Sequence, residues 1–118
     1  MRRRLTTVAF AAMLVLALTV QAAGAAVVIK GVSTTSGFRW KPHAVSVAVG
    51  TKVTWKAVTG THTVTSYKGK WSKSTTIRPG APTSFTFKAA GVYRFRCIFH
   101  STLTSGVCSG MCGKVVVG

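Results

Sequence analysis

The 118-residue chain contains no aspartate and no glutamate, against 16 lysines and arginines. That absence excludes much chemistry. No Asp/His/Ser triad can form, and no carboxylate pair can hydrolyse a glycoside. No hard Ca²⁺ or Mg²⁺ site can be assembled from acidic side chains. Histidine, cysteine and methionine are scarce as well, at three each. An odd number of cysteines cannot pair completely within one chain. What remains for chemistry is imidazole, thiol, thioether, hydroxyl and cation.

The missing acids leave the cations without side-chain partners. Three of the 16 lie in Arg2–Arg4, so 16 − 3 = 13 remain beyond the N-terminal segment. A field of that strength attracts polyanions, anionic envelope polymers and acidic proteins. Solubility alone is the competing explanation. Non-specific nucleic-acid binding would follow from the same charge, but no nucleic-acid recognition motif is present and no specific nucleic-acid partner is expected.

The N-terminus reads MRRRLTTVAFAAMLVLALTVQAAGAA. A basic start, an apolar run from Leu5 to Val20 and the small-x-small Ala23-Gly24-Ala25 have the order of a secretory signal peptide. We assign residues 1–25 to that leader and 26–118 to one exported domain, in the periplasm, the cell envelope or outside the cell. An uncleaved anchor is the alternative, but the run is short and interrupted by Gln21. No later stretch is apolar enough to span a membrane. A domain of this size is marginal unless stapled or metal-bound, and an exported chain can keep disulfides.

Beyond the leader the sequence alternates with period two. Val45, Val47 and Val49 share a face, as do Val53, Trp55 and Ala57, then Phe85 and Phe87, then Tyr93, Phe95 and Cys97. Val27–Val32, His62–Tyr67 and Lys114–Val117 are further strand candidates. Gly31, Gly37, Pro42, Gly50, Gly60, Gly69, Pro79-Gly80, Pro82 and Gly91 punctuate them as turn signals. No helical stripe appears. About seven or eight short strands at this spacing predict an all-β fold, an antiparallel sandwich or barrel. The three tryptophans read as packing residues, and His43, after Pro42, as a surface residue.

All the cysteines fall in CIFHSTLTSGVCSGMC, residues 97–112. Cys97 and His100 bracket a short turn expected just past a strand end, with Cys97 on the inward face. His62 opens a strand upstream, and Met111 precedes the last one. Two imidazoles, a thiolate and a thioether form a soft-to-borderline donor set that suits copper, with His₂Cys in a plane and a distant methionine. Zinc also accepts His and Cys, although His62 has no closely spaced partner of the usual structural-zinc kind. A Cys97–His100 hydrolase would need an accessible thiolate and an oxyanion hole.

The same residues carry a family resemblance. PHAVSVAVGTKVTW, THTV, RPGAPTSFTFKAAGVYRFRC, CIFH and GMCGKVVV resemble, in order and strand context, the cupredoxins, the blue copper proteins of the plastocyanin and pseudoazurin kind. The resemblance covers most of Phe38–Val117. It implies a Greek-key β-sandwich, no enzymatic activity, and one type 1 copper per chain held by His62, Cys97, His100 and Met111. It implies one-electron transfer with redox partners, with His100 as the surface port; the cationic surface predicts that those partners are acidic, and a monomer is expected. One departure stands out. Ten residues separate His100 from Met111, where family members have only a few, so a backbone carbonyl or water competes with Met111 for the axial place.

With Cys97 assigned to the metal, Cys108 and Cys112 remain, and a disulfide between them would close a small loop around Met111. Free thiols, or a second Cu(I) site with Met111, are the alternatives. An electron carrier is accordingly the leading expectation, with extracytoplasmic copper buffering or delivery on the same fold as the alternative. A polyanion-binding envelope protein with an incidental metal site is the third possibility.

Overall fold

The computed structural model describes residues 26–118; the expected leader lies outside the described residues. Nine strands are found among them: β1 Val27–Thr34, β2 Gly37–Lys41, β3 Ala44–Val47, β4 Lys52–Ala57, β5 His62–Tyr67, β6 Ser74–Ile77, β7 Thr83–Thr86, β8 Gly91–Thr104 and β9 Val107–Val117. They form one sheet in the order β2-β1-β4-β7 and another in the order β3-β9-β8-β5-β6.

The β-sandwich expected from the alternation is what forms, with more strands and mixed pairing. β1 runs parallel to β4, and β3 runs parallel to β9. Alternation reports which face is buried and is the same for both pairing directions, so direction was not legible. β2 and β6 lacked a clear signal because they are short; β6 is the polar run Ser-Thr-Thr-Ile, with only Ile77 buried.

The core lies between the sheets and is aromatic. Val53, Trp55, Ala57, Phe87, Phe95 and Cys97 turn inward as the alternation predicted, Tyr93 is nearly enclosed, and Val115 joins them. Val49 does not join them: β3 ends at Val47 and Val49 is exposed. Trp55 stacks on Trp71 at 6.1 Å and meets the edge of Phe95 at 5.3 Å, and Trp40 meets Phe95 at 5.7 Å. Such rings bury large areas and gain further from edge-on contact. Without carboxylates the cations turn to oxygen dipoles: half-buried Lys73 donates from Nζ to Thr83 Oγ1 at 2.9 Å, and burial pushes its pKa down.

The long spacing between His100 and Met111 is a hairpin. Ser101 pairs with Gly110, Thr102 with Ser109, Leu103 with Cys108 and Thr104 with Val107. Ser105 and Gly106 make the turn at φ 48° and 77°, the two positive dihedrals of a tight hairpin turn that follows strand twist. The inserted residues therefore leave and return, and Met111 comes back beside His100.

Cys108 and Cys112 are joined, with Cα atoms 6.2 Å apart. Four extended residues would span about 13 Å, so β9 is sharply bent between them. Gly110, at φ 100°, is the bend; a Cβ there would stand 2.5 Å from the His100 carbonyl oxygen. The bridge closes a very short loop, so its entropic contribution is small. Replacing both cysteines by serine is expected to lower unfolding free energy by about 2 kcal/mol, read from denaturant titration of the metal-free protein.

Candidate metal centre

The site is built on a mismatch between two strands. Arg96 lies opposite Cys112 and Ser101 opposite Gly110, so Cys97, Ile98, Phe99 and His100 face the single residue Met111. This is an enlarged β-bulge, a device that re-aims side chains next to functional sites. The short turn expected after Cys97 is in fact this bulge, inside a strand that continues to Thr104. Cys97 and His100 consequently point toward the same place. Ile98 and Phe99 turn out to solvent, Phe99 with 62% of its surface exposed.

His62 enters from β5. Its Nδ1 lies 3.2 Å from Nδ1 of His100 and 3.9 Å from Cys97 Sγ, and His100 Nδ1 lies 3.3 Å from the same sulfur. Three donors about 2.0–2.3 Å from one ion sit roughly 3.3–3.8 Å apart, so the cluster has the size a single metal requires. His62 Nε2–H donates to the Thr59 carbonyl at 2.7 Å, which leaves the Nδ1 lone pair facing the cluster. Burial, chiefly, holds the His62 pKa below the ordinary histidine value; the Thr59 contact opposes it, and nearby His100 adds to it. Burial thus favours the neutral imidazole, the form that binds metal.

Met111 is fully buried in the same region. A Cβ built on Gly31 would meet His62 Cδ2 at 2.9 Å and Met111 Cε at 3.1 Å. The imidazole and the thioether chain therefore both rest against one glycine of β1. The hairpin removes the spacing objection to Met111, since it returns the chain to His100. The proposed second soft site from Met111, Cys108 and Cys112 is not assembled: the two sulfurs are bonded to each other, and Cys97 is the one free thiol among the described residues.

Several supporting residues were missed by the sequence reading. Gly31 and Gly60 read as turn signals, but Gly31 lies inside β1 against His62. At Gly60 a Cβ would meet Phe38 Cζ at 2.9 Å. Phe38 itself packs on both imidazoles, at 4.8 Å from His62 and 4.5 Å from His100. In the sequence Thr63 carries only a strand signal. Its N–H donates to Cys97 Sγ at 3.4 Å, and its Oγ1 accepts from the Ile98 N–H at 2.9 Å. No periodicity announces such contacts, because they follow from packing between sheets and across the bulge.

The donor set fits copper: one thiol and two imidazoles converge, with a thioether buried beside them and no carboxylate to favour a hard ion. Comparison with known proteins agrees. The sequence profile of the copper-binding proteins of the plastocyanin/azurin family matches residues 26–118. No curated protein sequence matches. Among solved structures, a variant of amicyanin in its reduced state superposes with a TM-score of 0.61 at 27% identity, covering 83% of this chain and 87% of that one. A purple cupredoxin from Nitrosopumilus maritimus gives 0.59 at 23%, over 80% and 100%. Pseudoazurin from Methylobacterium extorquens AM1 gives 0.56 at 22%, over 80% and 76%.

Two substitutions test this architecture. Thr63→Val removes the acceptor for Ile98 and is expected to cost about 1–3 kcal/mol in unfolding free energy, measured on metal-free protein. Gly31→Ala forces a methyl between His62 and Met111; Cu(II) affinity should fall at least tenfold in competition titrations while the β-sheet circular dichroism spectrum is kept.

Proposed function

This chain belongs to the plastocyanin/azurin family of copper-binding proteins, and on that premise we propose that it is an exported one-electron carrier with a single type 1 copper. The observation that carries the proposal is the convergence of His62 Nδ1, His100 Nδ1 and Cys97 Sγ at one bulge of a rigid sandwich. His62, Cys97 and His100 would hold the ion, with the Met111 thioether as a further donor. The chemistry such an ion would supply is one-electron exchange between Cu(I) and Cu(II).

The chain supplies constraint and access. His62 is fixed by Thr59, the Cys97 sulfur by Thr63, and the Cys97 carbonyl by the Ser101 hydroxyl. A donor set locked by such contacts rearranges little when its charge changes, which keeps electron transfer fast. Cys97, His62 and Met111 are buried; His100 is half-buried and provides the route to solvent. Around it Ile98 and Phe99 are exposed, and Cys97–Gly113 carries no lysine or arginine. A partner would meet the exposed Ile98 and Phe99 beside His100, while the domain's cations steer acidic proteins or hold it at an anionic envelope. Export is supported by the leader-like N-terminus and by a disulfide, which persists in oxidising compartments.

Copper buffering or delivery on the same fold is the second reading. It relied on Cys108 and Cys112 as additional soft donors, and their pairing removes both thiols. Nor does the protein present an accessible thiolate for hydrolysis, because Cys97 is enclosed.

One equivalent of Cu(II) should give an intense visible thiolate-to-copper absorption, absent in Cys97→Ala. Protein-film voltammetry should show a reversible one-electron couple. Met111→Leu, which removes a donor that favours the oxidised ion, should move that couple to higher potential. A pale copper complex unchanged by Cys97→Ala would remove the type 1 reading, and transfer of copper to an acceptor without redox cycling would favour delivery.

A further inference from the structure

The disulfide hairpin creates a second feature, away from the metal cluster. The bend at Gly110 lays the hairpin back over the outward face of the five-stranded sheet. At its tip, a Cβ on Gly106 would stand 3.0 Å from Lys68 Cε, beyond the far end of β5 from His62. Between hairpin and sheet lies a basin of about 280 Å³ lined by His43, Tyr67, Arg94, Lys114 and the Cys108–Cys112 bridge.

The floor of this basin is one row across three strands. Tyr67 stands directly opposite Arg94, and Arg94 directly opposite Lys114. Residues opposite each other in antiparallel strands share a face, and like charges in that relation destabilise the pair. Both cations are half-buried, where water screens them less than at a free surface. The chain has no Asp or Glu with which to neutralise either. The structure therefore holds a guanidinium, an ammonium and a phenol side by side in an open, shallow concavity, with no counter-charge from any side chain.

We infer that this basin binds a small multivalent oxyanion of phosphate or dicarboxylate type. The guanidinium fork of Arg94 takes two oxygens, Lys114 supplies a point charge, and the Tyr67 hydroxyl donates a further hydrogen bond. The anion replaces the missing carboxylate and relieves the Arg94–Lys114 repulsion, so binding also stabilises the fold. The bridge lines one side of the basin. The inference is independent of the copper reading, since none of the basin's cations belongs to the donor cluster.

Inorganic phosphate is the probe, titrated calorimetrically at constant ionic strength with chloride replaced, on copper-loaded and metal-free protein alike. We expect one saturable site per chain, weakened at least tenfold in Arg94→Gln and in Lys114→Gln and several-fold in Tyr67→Phe. Lys52→Gln and Lys88→Gln remove equal charge from exposed positions elsewhere and should leave the affinity within twofold. Should Arg94→Gln fail to fold, Lys114→Gln and Tyr67→Phe decide the matter. Equal losses in all the charge variants would reduce the effect to diffuse attraction and overturn the site. Non-saturating heats, or none, would overturn it as well, whatever the copper spectrum shows.

Discussion

Four residues of β8 stand against one residue of β9, and the candidate metal centre depends on that mismatch. In a regular strand Cys97 and His100, three apart, would point to opposite faces. The bulge breaks the alternation, so that a buried sulfur and a half-buried imidazole meet the same point. Thr63 then pins the bulge from β5, through the Ile98 N–H on one side and the Cys97 sulfur on the other. Met111, the lone residue across from the bulge, is placed by the same register that fixes Cys97. One irregularity of backbone pairing thus brings Cys97 and His100 of β8 to face Met111 of β9, and β5 adds His62 to the candidate metal centre.

The absence of acidic side chains shapes everything around that centre. A domain with 13 uncompensated cations cannot gain from ion pairs, and the interior shows what replaces them. Aromatic rings run almost continuously from Trp71 through Trp55 and Phe95 to Trp40 and His62. They provide burial and close packing together around the candidate metal centre. The same absence explains why the Arg94–Lys114 pair stays unneutralised under the hairpin.

Much of this was legible in the sequence, for identifiable reasons. Period-two patterns at Val53–Ala57 and Tyr93–Cys97 gave strands and their buried faces correctly, because each has one apolar side. His62, Cys97, His100 and Met111 could be gathered because soft donors are rare in this chain. Pairing direction was not legible, since parallel and antiparallel strands alternate alike. Nor was the fate of Ser101–Gly110, which looked like a spacing defect and is a hairpin turned by Ser105 and Gly106. Gly31 and Gly60 were read as punctuation, although their contacts with His62 and Phe38 depend on the distant strands being folded together.

The central claim is that one donor set, preformed by the bulge, serves both oxidation states. X-ray absorption fine structure of the copper-loaded protein, recorded oxidised and then reduced, tests it most directly. The account predicts one short copper–sulfur and two copper–imidazole distances in both spectra, with little change between them. Loss of the sulfur from the oxidised spectrum, or a change in the number of imidazoles on reduction, would contradict it.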